Sequence, residues 1–133
     1  MNKTDTNLDF DVLHESGQDY LERILMLKEK NGQVISLDVA NSMGYSKASV
    51  SRAVKKLKEM NYITVGEKGL IELTDSGYKI AQSVLERHRL FTEYFIKIGV
   101  PEDIAEKDAC SIEHVLTDVT YMALLKHLNK DKK

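Results

Sequence analysis

Cysteine and proline each occur once in this 133-residue chain, and tryptophan does not occur. A single thiol cannot close an internal disulfide, which excludes a disulfide-stapled secreted scaffold and leaves Cys110 available for metal or redox chemistry in a reducing compartment. With seven Gly and one Pro, the composition is neither fibrous nor that of a low-complexity linker. Long hydrophobic runs are missing as well: none approaches the roughly 18 apolar residues of a membrane span. The polar, acidic stretch from Met1 to Asp11 has no signal-peptide core. The expectation is a cytoplasmic protein with no membrane partner. The length excludes a large enzyme and allows one compact unit, or two small subdomains sharing a core. The remaining balance, 42% hydrophobic and 30% charged, is that of an ordinary, mostly helical soluble domain.

A strong excess of positive charge is also absent. The net charge of −2 argues, taken alone, against a nucleic-acid partner, because neutralising phosphates needs cations. The distribution of charge points the other way. Acids outnumber bases over residues 1–44, bases outnumber acids over 45–78, and the two balance over 79–133. Between residues 46 and 60, Lys47, Arg52, Lys55, Lys56 and Lys58 oppose only Glu59, the pattern of a basic helix on an otherwise acidic chain. An ordinary solvated helix face would carry the same charges, so local sequence grammar has to decide.

Residues 1–13 read as a flexible tail, with order beginning near His14. From Glu15 to Lys30 the set Tyr20, Ile24 and Leu27, flanked by Leu21 and Leu25, follows a 3.6-residue period closed by Asn31-Gly32, which predicts a first helix. Ser36 is the expected N-cap of a short helix through Met43, stopped by Gly44. Ser46 then caps a third helix with Val50, Val54 and Leu57 inward and Ala48, Ser51, Arg52, Lys55 and Lys56 outward. A short helix, a Gly turn and a basic amphipathic helix form a helix-turn-helix. Tyr62–Val65 and Leu70–Leu73, joined by Gly66-Glu67-Lys68-Gly69, predict a β-hairpin wing behind it. Thr74 opens a long helix to about Ile98 with Ala81, Val84, Phe91, Phe95 and Ile98 as its stripe and His88 within it. Pro101 starts a further helix, and Thr117 caps a last one to about Asn129. The fold class expected is mostly α with a small hairpin wing: a winged helix-turn-helix domain over 14–76 and a helical domain over 77–133.

Cys110, Glu113 and His114 stand at i, i+3 and i+4, so on a helix a thiol, a carboxylate and an imidazole point within an arc of about 100°. A helix presents a transition-metal site in this way. Taken singly, such residues are more often bland: a His in an apolar stripe is usually a hydrogen-bonded core residue, a Cys a small buried hydrophobe, and acids are usually solvated. His14 and His127 lie outside any pattern and read as surface residues.

Several segments together resemble the diphtheria toxin repressor family of metal-dependent regulators. They are Asp19-Tyr20-Leu21-Glu22, Ser46-Lys47-Ala48-Ser49-Val50-Ser51, Leu73-Thr74-Asp75-Ser76-Gly77, Arg87-His88-Arg89-Leu90 and Asp108-Ala109-Cys110-Ser111-Ile112-Glu113-His114-Val115. The resemblance spans most of the chain. It implies a metal site of Asp19, Glu22, His88, Cys110, Glu113 and His114. Asp19 matches the manganese-responsive branch, where the iron-responsive branch has Met. Cys110 matches the iron branch, where the manganese branch has Glu. Thr92 stands where the iron branch has an ancillary carboxylate ligand, which argues against a second site of that kind. The long form of the family adds a C-terminal SH3-like domain; with its last residue at Lys133 the chain is expected to be of the short form.

Carboxylates suit a hard ion such as Mn²⁺ and the thiolate a softer one such as Fe²⁺, so these two are the effectors expected, with Zn²⁺ and Co²⁺ further candidates in vitro. The resemblance implies a homodimeric repressor of metal-homeostasis genes that places one winged helix on each half-site of a palindromic double-stranded operator. Ser46, Lys47, Ala48, Ser49, Ser51 and Arg52 would meet bases and backbone, and Lys55, Lys56 and Lys68 phosphate. Two other readings remain. A thiol-redox winged-helix regulator using Cys110 lacks a resolving cysteine. A small metalloenzyme lacks a His-Glu-x-x-His motif and has a recognition helix to explain. No catalytic residue and no small organic substrate are expected.

Overall fold

The computed structural model describes residues 16–130. The tail expected over 1–13, and the start of order near His14, lie outside the described residues. The chain divides into two compact units with the boundary between Ser83 and Val84.

In the first unit, α1 (Ser16–Asn31) buries Tyr20, Leu21, Ile24 and Leu25, so the expected stripe is the core-facing side. The helix α2 (Ser36–Met43) starts differently from expectation. Ser36 is its first helical residue and not its cap. The cap position belongs to Ile35, whose extended backbone donates its N–H to Asp38 Oδ2 at 2.9 Å. An acid in the first turn thus holds the cap residue's own N–H, the reverse half of a capping box. Gly44 ends α2 at φ +73°, and its N–H and that of Tyr45 both reach Ala40 O. A side chain would be strained in this left-handed turn.

The helix α3 (Lys47–Glu59) is capped as its sequence predicts, with Ser46 Oγ accepting from Ser49 N at 3.1 Å. Val50, Val54 and Leu57 are buried, while Lys47, Ala48, Ser51, Arg52, Lys55 and Lys56 are exposed. Strands β1 (Ile63–Val65) and β2 (Ile71–Leu73) pair antiparallel, Ile63 opposite Leu73 and Val65 opposite Ile71, each one residue shorter than expected. The loop between them makes a tight turn over Glu67–Gly69 in which exposed Lys68 adopts φ +64°. Val34 O accepts from Ile71 N at 2.8 Å, so the extended approach to α2 lies along β2.

Thr74 joins the wing to α4 (Asp75–Lys97). Its hydroxyl donates to Asn61 O at 2.7 Å and accepts from Gly77 N at 3.1 Å, capping the helix and tying it to the end of α3. Gly77 packs so closely that a Cβ there would lie 1.9 Å from Tyr62 O.

The second unit holds the rest of α4 with α5 (Glu102–Ile112) and α6 (Asp118–Lys130). Leu90 and Phe91 of α4, Ala109 of α5 and Tyr121 of α6 form its core, with Phe95, Ile112, Leu116, Leu124, Leu125 and Leu128 packed around them. Phe91 and Tyr121 meet edge to face at 6.4 Å. Ile98, expected in the stripe, lies beyond the end of α4 and is 60% exposed. Pro101 occupies the cap position of α5 and not its first turn. Thr117 Oγ1 accepts from Thr120 N at 3.3 Å and caps α6 as predicted. The architecture is mostly helical with one antiparallel hairpin as its only sheet among the described residues.

Candidate metal centre and nucleic-acid interface

The expected ligand triplet does not lie wholly on a helix. The helix α5 ends at Ile112, and Glu113 is its C-cap. The spacing survives because Glu113 keeps helical backbone angles (φ −62°, ψ −23°) and bonds its N–H to Ala109 O at 3.0 Å. A side chain three residues beyond Cys110 therefore still comes round to the same face. One ligand atom from each of Cys110, Glu113 and His114 lies within 4.8 Å of the others.

From α4, His88 Nδ1 meets Glu113 Oε1 at 3.1 Å, and His114 Nε2 lies 3.4 Å from Glu113 Oε2. Glu113 is thus a carboxylate between two imidazoles, with its side chain fully buried. The second unit gathers four of the six expected ligands at this acid. Asp19, partly buried, and Glu22, buried, lie one turn apart on α1 in the first unit.

The chemistry of the cluster fits a divalent cation. Glu113 Oε2 is buried and has no hydrogen-bond partner among the described residues, since its 3.4 Å approach to His114 lacks hydrogen-bond geometry. An orphaned buried acceptor costs about 1–3 kcal/mol, more when charged. A cation on that oxygen removes the cost. Imidazole, carboxylate and thiol together suit first-row transition ions.

Arg87 has a place in the second unit that no local pattern signals. Its guanidinium donates from Nη1 to Leu116 O at 3.0 Å and Glu113 O at 3.4 Å, and from Nη2 to Asp118, and lies 4.5 Å from the centre of the Tyr121 ring. Burial pushes the Tyr121 phenol above its ordinary pKa, Glu86 adds to the rise, and Arg87 opposes it.

In the first unit, exposed Lys47, Ala48, Ser51, Arg52, Lys55 and Lys56 share α3, and exposed Lys68 marks the wing tip. Ser46 Oγ and Ser49 Oγ lie 3.0 Å apart, and Arg52 Nη2 donates to Ser49 Oγ at 3.4 Å, so a chain of polar groups runs along one edge of the helix. Tyr45, which no sequence signal singles out, is half exposed just before the cap and meets buried Tyr20 of α1 edge to face at 6.0 Å. Burial raises the Tyr20 pKa, Tyr45 raises it further, and the Arg52 charge lowers it.

A basic helix behind a Gly turn, a wing with a lysine at its tip and a unit in which a partly buried thiol meets a buried carboxylate and imidazole define a winged-helix regulator with a metal-binding domain. Two family models match the chain: the iron dependent repressor N-terminal DNA binding domain over residues 12–71, and the iron dependent repressor metal binding and dimerisation domain over residues 74–133. The chain belongs to the iron-dependent repressor family, the family its sequence resembles. It is similar to the HTH-type transcriptional regulator MntR of Geobacillus kaustophilus, 33% identical over 102 residues that cover 77% of this chain and 72% of the relative. An uncharacterised HTH-type transcriptional regulator of Methanocaldococcus jannaschii is 31% identical over 108 residues, 80% of this chain and 86% of that one. A solved manganese-dependent transcriptional repressor in complex with manganese superposes with a TM-score of 0.75 at 28% identity, covering 84% of this chain and 52% of the other. The chain spans about half the length of that and similar solved structures. It is a metal-dependent transcriptional repressor by family, a class of regulators and not of enzymes. It carries one domain for DNA and one for metal and dimerisation. No helix among the described residues is long and apolar enough to cross a membrane.

Proposed function

We propose that the protein is a cytoplasmic homodimer that senses Mn²⁺ or Fe²⁺ through Asp19, Glu22, His88, Cys110, Glu113 and His114 and represses metal-homeostasis genes at a palindromic operator. The observation that carries the metal reading is the buried Glu113 carboxylate, flanked by His88 and His114, with one oxygen that has no hydrogen-bond partner among the described residues. When bound, a divalent ion supplies the positive charge that those oxygens and the Cys110 sulfur lack. Asp19 and Glu22 supply the remaining ligands that the resemblance implies. Cys110, Glu113 and His114 are held by the second unit, and Asp19 and Glu22 by the winged unit. Metal binding then favours DNA-competent arrangements by a coupling of about 1–3 kcal/mol, roughly 5- to 150-fold in affinity.

On DNA, Ser46, Lys47, Ala48, Ser49, Ser51 and Arg52 meet base edges and backbone, while Lys55, Lys56 and Lys68 meet phosphate. The family resemblance supports the residue roles, and the exposure of α3 and the wing tip agrees with them. Manganese or iron as effector reflects carboxylate-rich ligation tempered by one thiolate. A gel shift on the promoter region of the protein's own gene, titrated with buffered Mn²⁺, Fe²⁺ and Zn²⁺, tests the reading. Binding that appears with Mn²⁺ or Fe²⁺ and vanishes with chelator is expected. Operator binding indifferent to chelator would overturn the sensor, and activation by Zn²⁺ alone at cellular free levels would overturn the choice of ion.

A further inference from the structure

Glu113 is gripped at both ends by consecutive residues of α4. His88 Nδ1 meets its carboxylate at 3.1 Å, while Arg87 Nη1 donates to its main-chain carbonyl at 3.4 Å. The other contacts of Arg87 all fall a few residues further on, at Leu116 O (3.0 Å), Asp118 and the Tyr121 ring (4.5 Å). One guanidinium therefore spans the whole connection from the last turn of α5 to the first turns of α6. That connection begins with Glu113 and His114.

The physical need is evident from the helix ends. Glu113 O and Leu116 O, just past the C-terminus of α5, accept from the Arg87 guanidinium, and a cation there complements the negative end of the helix dipole. Asp118 opens α6, where negative charge is favoured. A planar fork can address two carbonyls and a carboxylate while lying on an aromatic face, which a Lys ammonium on a single stem cannot. The ion pair itself contributes little, because Asp118 is almost fully exposed. The carbonyl bonds and the stacking define the path of the backbone.

We infer that Arg87 is a positioning residue of the metal centre: by holding the 113–118 connection it presets the Glu113 and His114 side chains for one coordination geometry, and so sets affinity and metal preference without being a ligand. The inference rests on the proposed ligand set. Groups that orient ligands of this kind typically change metal affinity on the order of 10- to 100-fold when removed.

The test uses Arg87→Met, Arg87→Lys and Asp118→Asn in the full chain, with Co²⁺ as the spectroscopic probe and Mn²⁺ affinity and the metal-free thermal midpoint as companion readings. Arg87→Met is expected to weaken Mn²⁺ binding on the order of 10- to 100-fold and to alter the Co²⁺ ligand-field bands. Arg87→Lys should recover much of the thermal midpoint and little of the wild-type spectrum, because charge returns but the fork does not. Asp118→Asn, at an exposed site, should fold normally and keep the wild-type spectrum, since the carbonyl bonds remain. A folded Arg87→Met or Arg87→Lys protein with wild-type affinity and an unchanged Co²⁺ spectrum would overturn the inference and leave Arg87 a purely structural clamp. If Arg87→Met fails to fold, the Arg87→Lys spectrum decides alone. Absence of any Co²⁺ spectrum in the wild type would instead overturn the metal-centre reading on which the inference stands.

Discussion

His88 Nδ1 and Glu113 Oε1 lie 3.1 Å apart, joining the long helix to the C-cap of the next through an acid whose side chain has no exposed surface. Its other oxygen lies 3.4 Å from His114 Nε2 without a hydrogen bond. A buried carboxylate so placed costs stability in the metal-free chain and returns it when a cation arrives. Glu113→Gln keeps the volume and removes the charge. Metal-stimulated operator binding is expected to disappear, while the thermal midpoint in chelator stays equal to wild type or rises, a buried acceptor without a hydrogen bond costing about 1–3 kcal/mol. A lower midpoint in chelator would mean that Glu113 serves the metal-free fold.

Gly77 supplies a separate test in the winged unit. An added Cβ would sit 1.9 Å from Tyr62 O, and the obstacle is backbone, not a side chain that could rotate away. Gly77→Ala must therefore push the start of α4 off the end of α3 or lose the cap bond from Gly77 N to Thr74 Oγ1. We expect a loss of about 2–3 kcal/mol, read by urea denaturation. A variant within about 0.5 kcal/mol of wild type, the range of a neutral surface change, would show that the close approach is readily relaxed.

Signals that act over three or four residues are legible in the sequence: the Ser46, Thr74 and Thr117 caps, the Gly44 turn and the buried stripe of α3 all follow from local hydrogen bonds and periodicity. Ser36 misleads because Asp38 competes for the same start, and the extended Ile35 lets the acid win. The pairing of Val34 with Ile71 and the reach of Arg87 to Leu116 join residues distant along the chain, and no local pattern announces them. The candidate ligands divide in the same way. Cys110, Glu113 and His114 are visible as a spacing, although the helix ends at Ile112. Asp19, Glu22 and His88 come only from the family resemblance, because single acids on a helix and one imidazole in an apolar stripe carry no distinguishing period.

The phenol of Tyr121 gives a pH prediction. Burial raises its pKa above the ordinary value of 10.0, with Glu86 adding and Arg87 subtracting. A group whose folded pKa exceeds its unfolded one stabilises the fold fully below the unfolded value, and that stability is lost as pH climbs through the folded value. The second unit should therefore lose stability through this group only in the alkaline range above about pH 10. Tyrosinate absorbance should show a late-titrating phenol that Tyr121→Phe removes. Because Arg87 opposes the rise, Arg87→Met should delay that titration further. An unshifted step in the folded variant would mean that the guanidinium and the ring do not interact in solution.

Arg52 and Lys56, both exposed on α3, should separate sequence reading from phosphate attraction. Arg52 donates to Ser49 Oγ at 3.4 Å, and Ser49 is in turn held by the Ser46 cap, so its guanidinium is steered along the N-terminal edge of the helix. A base contact made from that edge contributes about 1–3 kcal/mol of discrimination. Arg52→Ala should accordingly reduce the preference for operator over random DNA by roughly 5- to 150-fold, the same energy as a ratio. Lys56 lies further along the helix, beyond reach of that capped edge, and its expected role is to displace counterions. Lys56→Ala should weaken operator and random DNA alike and lower the slope of log affinity against log salt by about one. Fluorescence anisotropy over a salt series reads both quantities at saturating metal. An unchanged specificity ratio for Arg52→Ala would move that residue to the phosphate group. An unchanged salt slope for Lys56→Ala would take Lys56 off the backbone, leaving Lys55 and the wing-tip Lys68 as the cations to test.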